Sequence, residues 1–135
     1  MGVPHVTTQK LRFCDTDALG HINNAVYSVM LEAGRVDLFA NTGLLDRNSP
    51  HALVIARLEL DFLREMNWPG EVRIESLVTE IGAKAIRMRQ TLHANGTLSA
   101  RARNVLAVID ISTRRSVPIT ENWRAALEPW LVPEA

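Results

Sequence analysis

Apolar and polar positions alternate along much of this chain, and one long stretch departs from alternation. Val6 to Phe13 mixes polar and apolar residues over a strand's length. Residues 14–24, CDTDALGHINN, interrupt that pattern with Asp, Gly and Asn, residue types that favour turns. Residues 25–43, AVYSVMLEAGRVDLFANTG, predict the one long helix. Asn23 or Asn24 can accept from the free amides of its first turn, and Gly43 is placed to end it. Its apolar side chains, from Val26 and Val29 through Val36 and Phe39, point nearly all around, which predicts burial on most sides.

Past Pro50 the period changes to two. Residues 52–63 alternate from Ile55 onward, REMNWPG reads as a turn, and residues 71–81 form the next strand. A slip in alternation near Ser76–Leu77 predicts a bulge or a strong twist there. Residues 83–94 place Ile86, Met88, Gln90 and Leu92 on one face. Ala94-Asn95-Gly96 reads as a three-residue hairpin loop before the longest strand, residues 97–110. Ile119 to Leu127 predicts a short terminal helix ended by Pro129. The sum is an α+β domain, one antiparallel sheet around one helix.

Composition narrows the class. The 135 residues suit a single domain, 1–135, which buries about two-thirds of its unfolded surface. Lys+Arg number 15 and Asp+Glu 15, so the net charge is zero, which argues against a dedicated nucleic-acid binder. The longest wholly aliphatic run, Val105 to Ile109, is too short to span a membrane. The start carries no secretory apolar core. The single cysteine, Cys14, allows no intrachain disulfide or cysteine-rich zinc site, and is expected to be a small buried residue. A cytoplasmic domain is the expectation.

Residues 15–24 carry the candidate chemistry: two carboxylates, an imidazole and two amides just before a helix N-terminus. Free N–H groups and the helix dipole there can stabilise an oxyanion, worth roughly 3–4 kcal/mol per donor. A nearby carboxylate can act as nucleophile or as general base toward water. The alternative is that Asp15 and Asp17 are turn and capping residues. An EF-hand is excluded, because Leu19 holds a ligand position and Val26 stands where the closing Glu belongs.

Arg12-Phe13-x-Asp15-Thr16-Asp17-x-x-Gly20-His21-Ile22-Asn23-Asn24-x-x-Tyr27, with Leu31-Glu32-Ala33-Gly34-Arg35 and Leu58 to Arg64, resembles the hotdog-fold acyl-CoA thioesterases of the 4-hydroxybenzoyl-CoA thioesterase type. The resemblance implies a five-stranded antiparallel sheet wrapped around one long central helix. It further implies a homodimer or homotetramer with active sites at the dimer interface. It places the catalytic Asp on Asp17 and the oxyanion donor at the backbone amide of Asn24. His21 and Asn23 match a loop variant of the family, and Glu32 a frequent helix Glu. The implied reaction is hydrolysis of acyl-CoA, or of an acyl carrier protein thioester, without metal or other cofactor. The loop is less aromatic than that of the 4-hydroxybenzoyl-CoA enzymes, which puts an aromatic substrate in question. Two other readings share the scaffold: an acyl-thioester dehydratase or hydratase, and a non-catalytic acyl-CoA-binding module.

Each residue also has a plainer role. His21 can orient a carbonyl or water, or bond the loop backbone. Tyr27 can line the site, or pack with its hydroxyl satisfied. Glu32 can touch substrate, or pair with Arg35 one turn on. On the sheet, the three-residue loop sets Met88 opposite Ala102 and Leu92 opposite Leu98, and with them Arg87 opposite Arg103 and Arg89 opposite Arg101. Like charges so placed destabilise a sheet. Glu75 or Glu80 would neutralise them, or they contact the phosphates of coenzyme A, with Lys84 in the preceding turn.

Overall fold

The structure is a computed structural model that describes residues 2–44 and 48–134; the loop expected between Gly43 and Pro50 lies partly outside them. Five strands form one antiparallel sheet: β1 (His5–Lys10), β2 (His51–Phe62), β3 (Glu71–Ile81), β4 (Ala85–Ala94) and β5 (Thr97–Asp110), in the order β1-β3-β4-β5-β2. Helix α1 (Asn24–Ala40) packs on β1, β3 and β4, and helix α2 (Glu121–Leu127) closes the far end. The first strand is shorter than expected. Leu11 leaves it to donate to Gly70 O, and Phe13–Asp15 then form a short 3₁₀ turn.

Helix α1 has 17 residues and does not match a long central helix wrapped on all sides. Tyr27, Met30, Leu31, Gly34, Arg35, Leu38 and Phe39 are buried, while Val29 and Val36 stay more than half exposed on the opposite side. The apolar positions that point all around thus serve two surfaces, one against the sheet and one open. Asn23 caps the helix, its Oδ1 accepting from Ala25 N at 2.9 Å. Asn41, not Gly43, is the C-cap.

Gly34 sets how closely the helix approaches the sheet. A Cβ there would stand 2.5 Å from Ile74 Cγ2 and 3.1 Å from both Gln90 Nε2 and Ser76 Oγ. The apolar core divides into two clusters along α1. One gathers Ile22, Tyr27 and Leu31 against Ile74 and Leu92; the other gathers Leu38 and Phe39 against Ile86, Leu106, Trp123 and Leu127.

Two expected irregularities fall elsewhere. The β3 bulge lies at Thr79, between the pairs Val78–Met88 and Glu80–Arg87. The slip at Ser76–Leu77 has another cause: Leu77 points to the other face from Ser76 and Val78, and is buried all the same. The β4–β5 connection is a two-residue loop, since Ala94 pairs with Thr97. Asn95 (φ 50°) and Gly96 (φ 84°) supply the two positive angles such a turn requires. A bulge then inserts Ser99 between the pairs His93–Leu98 and Leu92–Ala100. The register beyond it sets Arg89 opposite Arg103, Arg87 opposite Val105, Met88 opposite Asn104 and Thr91 opposite Arg101, not the pairs the sequence suggested.

Candidate active site

The loop before α1 is built around its two aspartates, which do different work. Asp15 is buried, and its carboxylate takes Arg12 Nε (3.2 Å), NH2 (2.9 Å) and the Arg12 amide (3.1 Å). That guanidinium holds the Asp15 carboxyl below its ordinary range, against the opposing effect of burial. Asp15 O accepts from Asn23 N, which ties the cap residue to the turn.

Asp17 is exposed. Its Oδ1 accepts from Leu19 N (2.8 Å) and His21 N (3.1 Å), and its amide donates to His21 O at 2.7 Å. The capping role weighed from sequence is therefore real, and it occupies one carboxylate oxygen. The other has no bonded partner among the described residues. The first turn of α1 shows a similar division. Ala25 N and Val26 N are bonded to Asn23, and Asn23 N to Asp15, but the Asn24 amide has no acceptor among the described residues.

A pocket of about 240 Å³ opens at this point, with Asp17, His21, Asn24, Tyr27, Phe62 and Glu65 in its lining. Tyr27 holds its far wall: the hydroxyl donates to Arg64 O (3.1 Å) and accepts from Met66 N (3.0 Å), and its ring meets Phe62 edge-on at 4.9 Å. Burial raises the Tyr27 pKa. Ser99 O receives the amides of Leu63 (2.9 Å) and Arg64 (3.1 Å), so the bulge on β5 anchors the segment after β2. His21 Nε2 stands 2.6 Å from Glu65 Oε2. Glu65 is the site carboxylate the sequence does not reveal, because it sits in an irregular turn that carries no periodic signal.

Asp17, His21, Asn24 and Tyr27 thus come together, and Asn23 adjoins them as the cap. Glu32 does not join them. It lies two turns on, about 12 Å along the axis, on the open side of α1. No Glu32–Arg35 ion pair forms within 4 Å among the described residues, and Arg35 NH1 instead donates to Gln90 Oε1 at 3.2 Å. Cys14 is exposed, contrary to expectation.

The four arginines occupy the outer face of the sheet. Arg89, Arg101 and Arg103 line a groove there with Glu59, Asp61 and Thr91. Neutralisation comes from Glu134, which takes Arg103 at 2.8 Å and Arg89 at 3.3 Å. Glu80 takes Arg87 (3.4 Å), and Glu75 is committed to Arg73 and His93. Arg101 has no ion pair within 4 Å among the described residues and lies opposite Asp61 on β2. Lys84 lies in the β3–β4 turn, outside the groove and about 16 Å along β4 from Arg89. Among the described residues no cluster of His, Cys, Asp and Glu suits a metal ion, and no helix is long and apolar enough to cross a membrane.

Comparison with known proteins agrees with this architecture. An uncharacterised protein of Bacillus subtilis, YsmA, is 29% identical over 86 residues, 64% of this chain; the match spans little more than half (56%) of that relative's length. A predicted thioesterase from Bacillus stearothermophilus superposes with a TM-score of 0.88 at 27% identity, covering 98% of this chain and 100% of that one. A thioesterase from Thermus thermophilus, complexed with coenzyme A and zinc, gives 0.81 at 28% identity over 91% and 90% of the two chains. The model of the thioesterase-like superfamily matches residues 11–127, from the end of β1 through the last residue of α2. That span contains β2 to β5, the loop before α1 and the pocket at the start of α1, and the chain belongs to this superfamily, with the hotdog fold.

Proposed function

We propose that the chain is an acyl-CoA thioesterase that splits its substrate into a free acid and coenzyme A. The observation that carries the reading is the pairing of one free Asp17 oxygen with the unoccupied Asn24 amide in a single pocket. In this reading the thioester carbonyl oxygen lies against the Asn24 amide, where a developing negative charge gains from the helix dipole. Asp17 either attacks the carbonyl carbon or takes a proton from an attacking water. A carbon–oxygen bond forms, the carbon–sulfur bond breaks, and the thiolate leaves to be protonated from solvent; where Asp17 is the nucleophile, water then hydrolyses the acyl–Asp17 anhydride to the free acid and restores the carboxylate. His21, held by Glu65, is placed to orient the water or the carbonyl.

The superfamily and its solved members support thioesterase chemistry in general terms. The structure with coenzyme A among the neighbours favours that carrier here too. Arg89, Arg101 and Arg103 are the candidates for its phosphates, with Arg101 the least engaged. Lys84 and Arg87 stand outside that groove and are the weaker candidates. We assign the site to a homodimer or a homotetramer. The support is an edge strand of 12 residues, β2, with Val54, Ile55 and Phe62 exposed, beside the open side of α1. The deciding experiment follows free thiol over a panel of acyl-CoAs, with enoyl absorbance recorded in parallel. Thiol release abolished by Asp17→Asn is expected; hydration or dehydration without thiol release, or binding without turnover, overturns the reading.

A further inference from the structure

The segment that follows α2 crosses to the outer face of the sheet and delivers a carboxylate to its arginines. After a short 3₁₀ turn, Glu128–Trp130, Leu131 bridges Val78 of β3 in parallel, and Val132 N donates to Val78 O at 2.8 Å. The amides of Gly2 and Val3 also brace this segment, donating to Leu131 O (3.1 Å) and Pro129 O (3.0 Å). Past Val132 the backbone hold stops: Pro133 has no N–H, and the Glu134 amide has no acceptor among the described residues. Glu134 is held through its carboxylate. Its Oε1 and Oε2 accept from Arg103 NH1 at 2.9 and 2.8 Å, and Oε1 accepts from Arg89 NH1 at 3.3 Å. The path from Val78 to Arg89 runs by Leu77, the cross-strand partner of Arg89, which points outward yet is 9% exposed.

Arg89 and Arg103 lie directly opposite each other, so this part of the sheet needs an anion, and Glu134 supplies it. Guanidiniums that converge on one carboxylate suit a phosphate equally well. Arg101, without an ion pair among the described residues, stands in the same groove of about 550 Å³, whose carboxylates are Asp61 and the Arg57-paired Glu59. With Glu134 in place three arginines face three carboxylates; without it three face two, and the groove turns positive. The ion pairs of Glu134 are exposed and therefore weak, and a phosphate monoester brings up to two charges against its one. We propose that Glu134 is a built-in competitor of the carrier's phosphates. It fills the arginine groove in the free protein, is displaced by the nucleotide of an acyl-CoA, and so sets how strongly the site prefers a nucleotide-bearing thioester to one without. The inference rests on the hydrolytic reading and on the phosphate role of the groove given above.

The test follows thiol release from an acyl-CoA and from the N-acetylcysteamine thioester of the same acid, in wild type, Glu134→Gln and the double variant Glu134→Gln/Arg103→Gln. Calorimetric titration with 3′-phosphoadenosine 5′-diphosphate, the nucleotide portion of coenzyme A, and a melting curve use the same preparations. Glu134→Gln is expected to lower KM for the acyl-CoA about fivefold at unchanged kcat, and to tighten the nucleotide by a similar factor. The nucleotide-free thioester is used alike by both proteins, and the double variant loses the gain. Raised salt loosens Glu134 together with the phosphate, so KM climbs less steeply with salt in wild type than in Glu134→Gln. An unchanged or higher KM for acyl-CoA in Glu134→Gln overturns the proposal. So does an equal change on both thioesters, or a lowered melting temperature as the sole effect of the substitution. If no acyl-CoA is hydrolysed, the hydrolytic reading fails, and the titration decides the role of Glu134 separately. Nucleotide bound more tightly by Glu134→Gln than by wild type supports it; equal affinity, or no binding by either protein, overturns it.

Discussion

The pocket at the start of α1 and the arginine groove on the outer face both gather polar groups, but they hold them by different means. In the pocket, backbone does the holding: Asp17 is fixed by the Leu19 and His21 amides, and Tyr27 by Arg64 O and Met66 N. In the groove, charge holds charge, as Glu134 bridges Arg89 and Arg103 near solvent. Backbone-held groups keep one geometry whatever the salt, whereas exposed ion pairs are weak and screened. Substitutions in the pocket should therefore act nearly all-or-none, and those in the groove should be graded.

That contrast can be broken in order of expected size. Asp17→Asn should lower kcat about 100-fold or more while leaving thermal unfolding nearly unchanged, measured as thiol release and a melting curve on the same preparation. Asp15→Asn should do the reverse, costing about 1–3 kcal/mol of stability by stranding the Arg12 pair, read from denaturant unfolding. Because the Asp15 carboxyl is lowered in the folded state, its contribution is present above the unfolded-state value. It is lost as pH falls through the folded one. Acid unfolding should accordingly be less steep in Asp15→Asn than in wild type. The smallest effect belongs to the outer face. Arg89→Ala and Arg101→Ala should each raise KM for acyl-CoA a few-fold, and leave a short acyl-thiol analogue lacking the nucleotide unaffected. Raised salt should shrink that difference. Arg87→Ala, outside the groove, should change neither substrate. Equal effects on both substrates would deny the groove any phosphate role.

Alternation told which face each sheet residue takes, but not which residue it meets. A two-residue loop with a bulge at Ser99 preserves the same parity as a three-residue loop, so Ile86, Met88, Gln90 and Leu92 point inward as read. The partner shifts by two, and Arg89 meets Arg103 instead of Arg101. Asp17, His21 and Asn24 could be grouped as candidates from sequence because they fall within eight residues, in a loop that runs into a helix. Glu65 and Phe62 reach the same pocket only through the fold, by way of Ser99 O and the Tyr27 hydroxyl. Arg35 looked like half of a surface pair, since helical spacing brings Glu32 near. Helix rotation puts Arg35 toward the sheet and Glu32 toward the open side, and periodicity with apolar residues on every side could not fix that rotation.

Gly34 makes α1 behave as a lever with a fixed fulcrum. Its bare backbone rests on Ile74, with Ser76 and Gln90 beside it, and any side chain there would prise the helix from the sheet. The Asn24 amide lies ten residues away, about 15 Å along the same rigid rod. A tilt too small to disturb the core near the fulcrum would be magnified at that tip, where a misplacement of an ångström is enough to spoil the oxyanion geometry proposed above. The chain's tolerance to change should thus be low at Gly34 as well, although it lies outside the pocket.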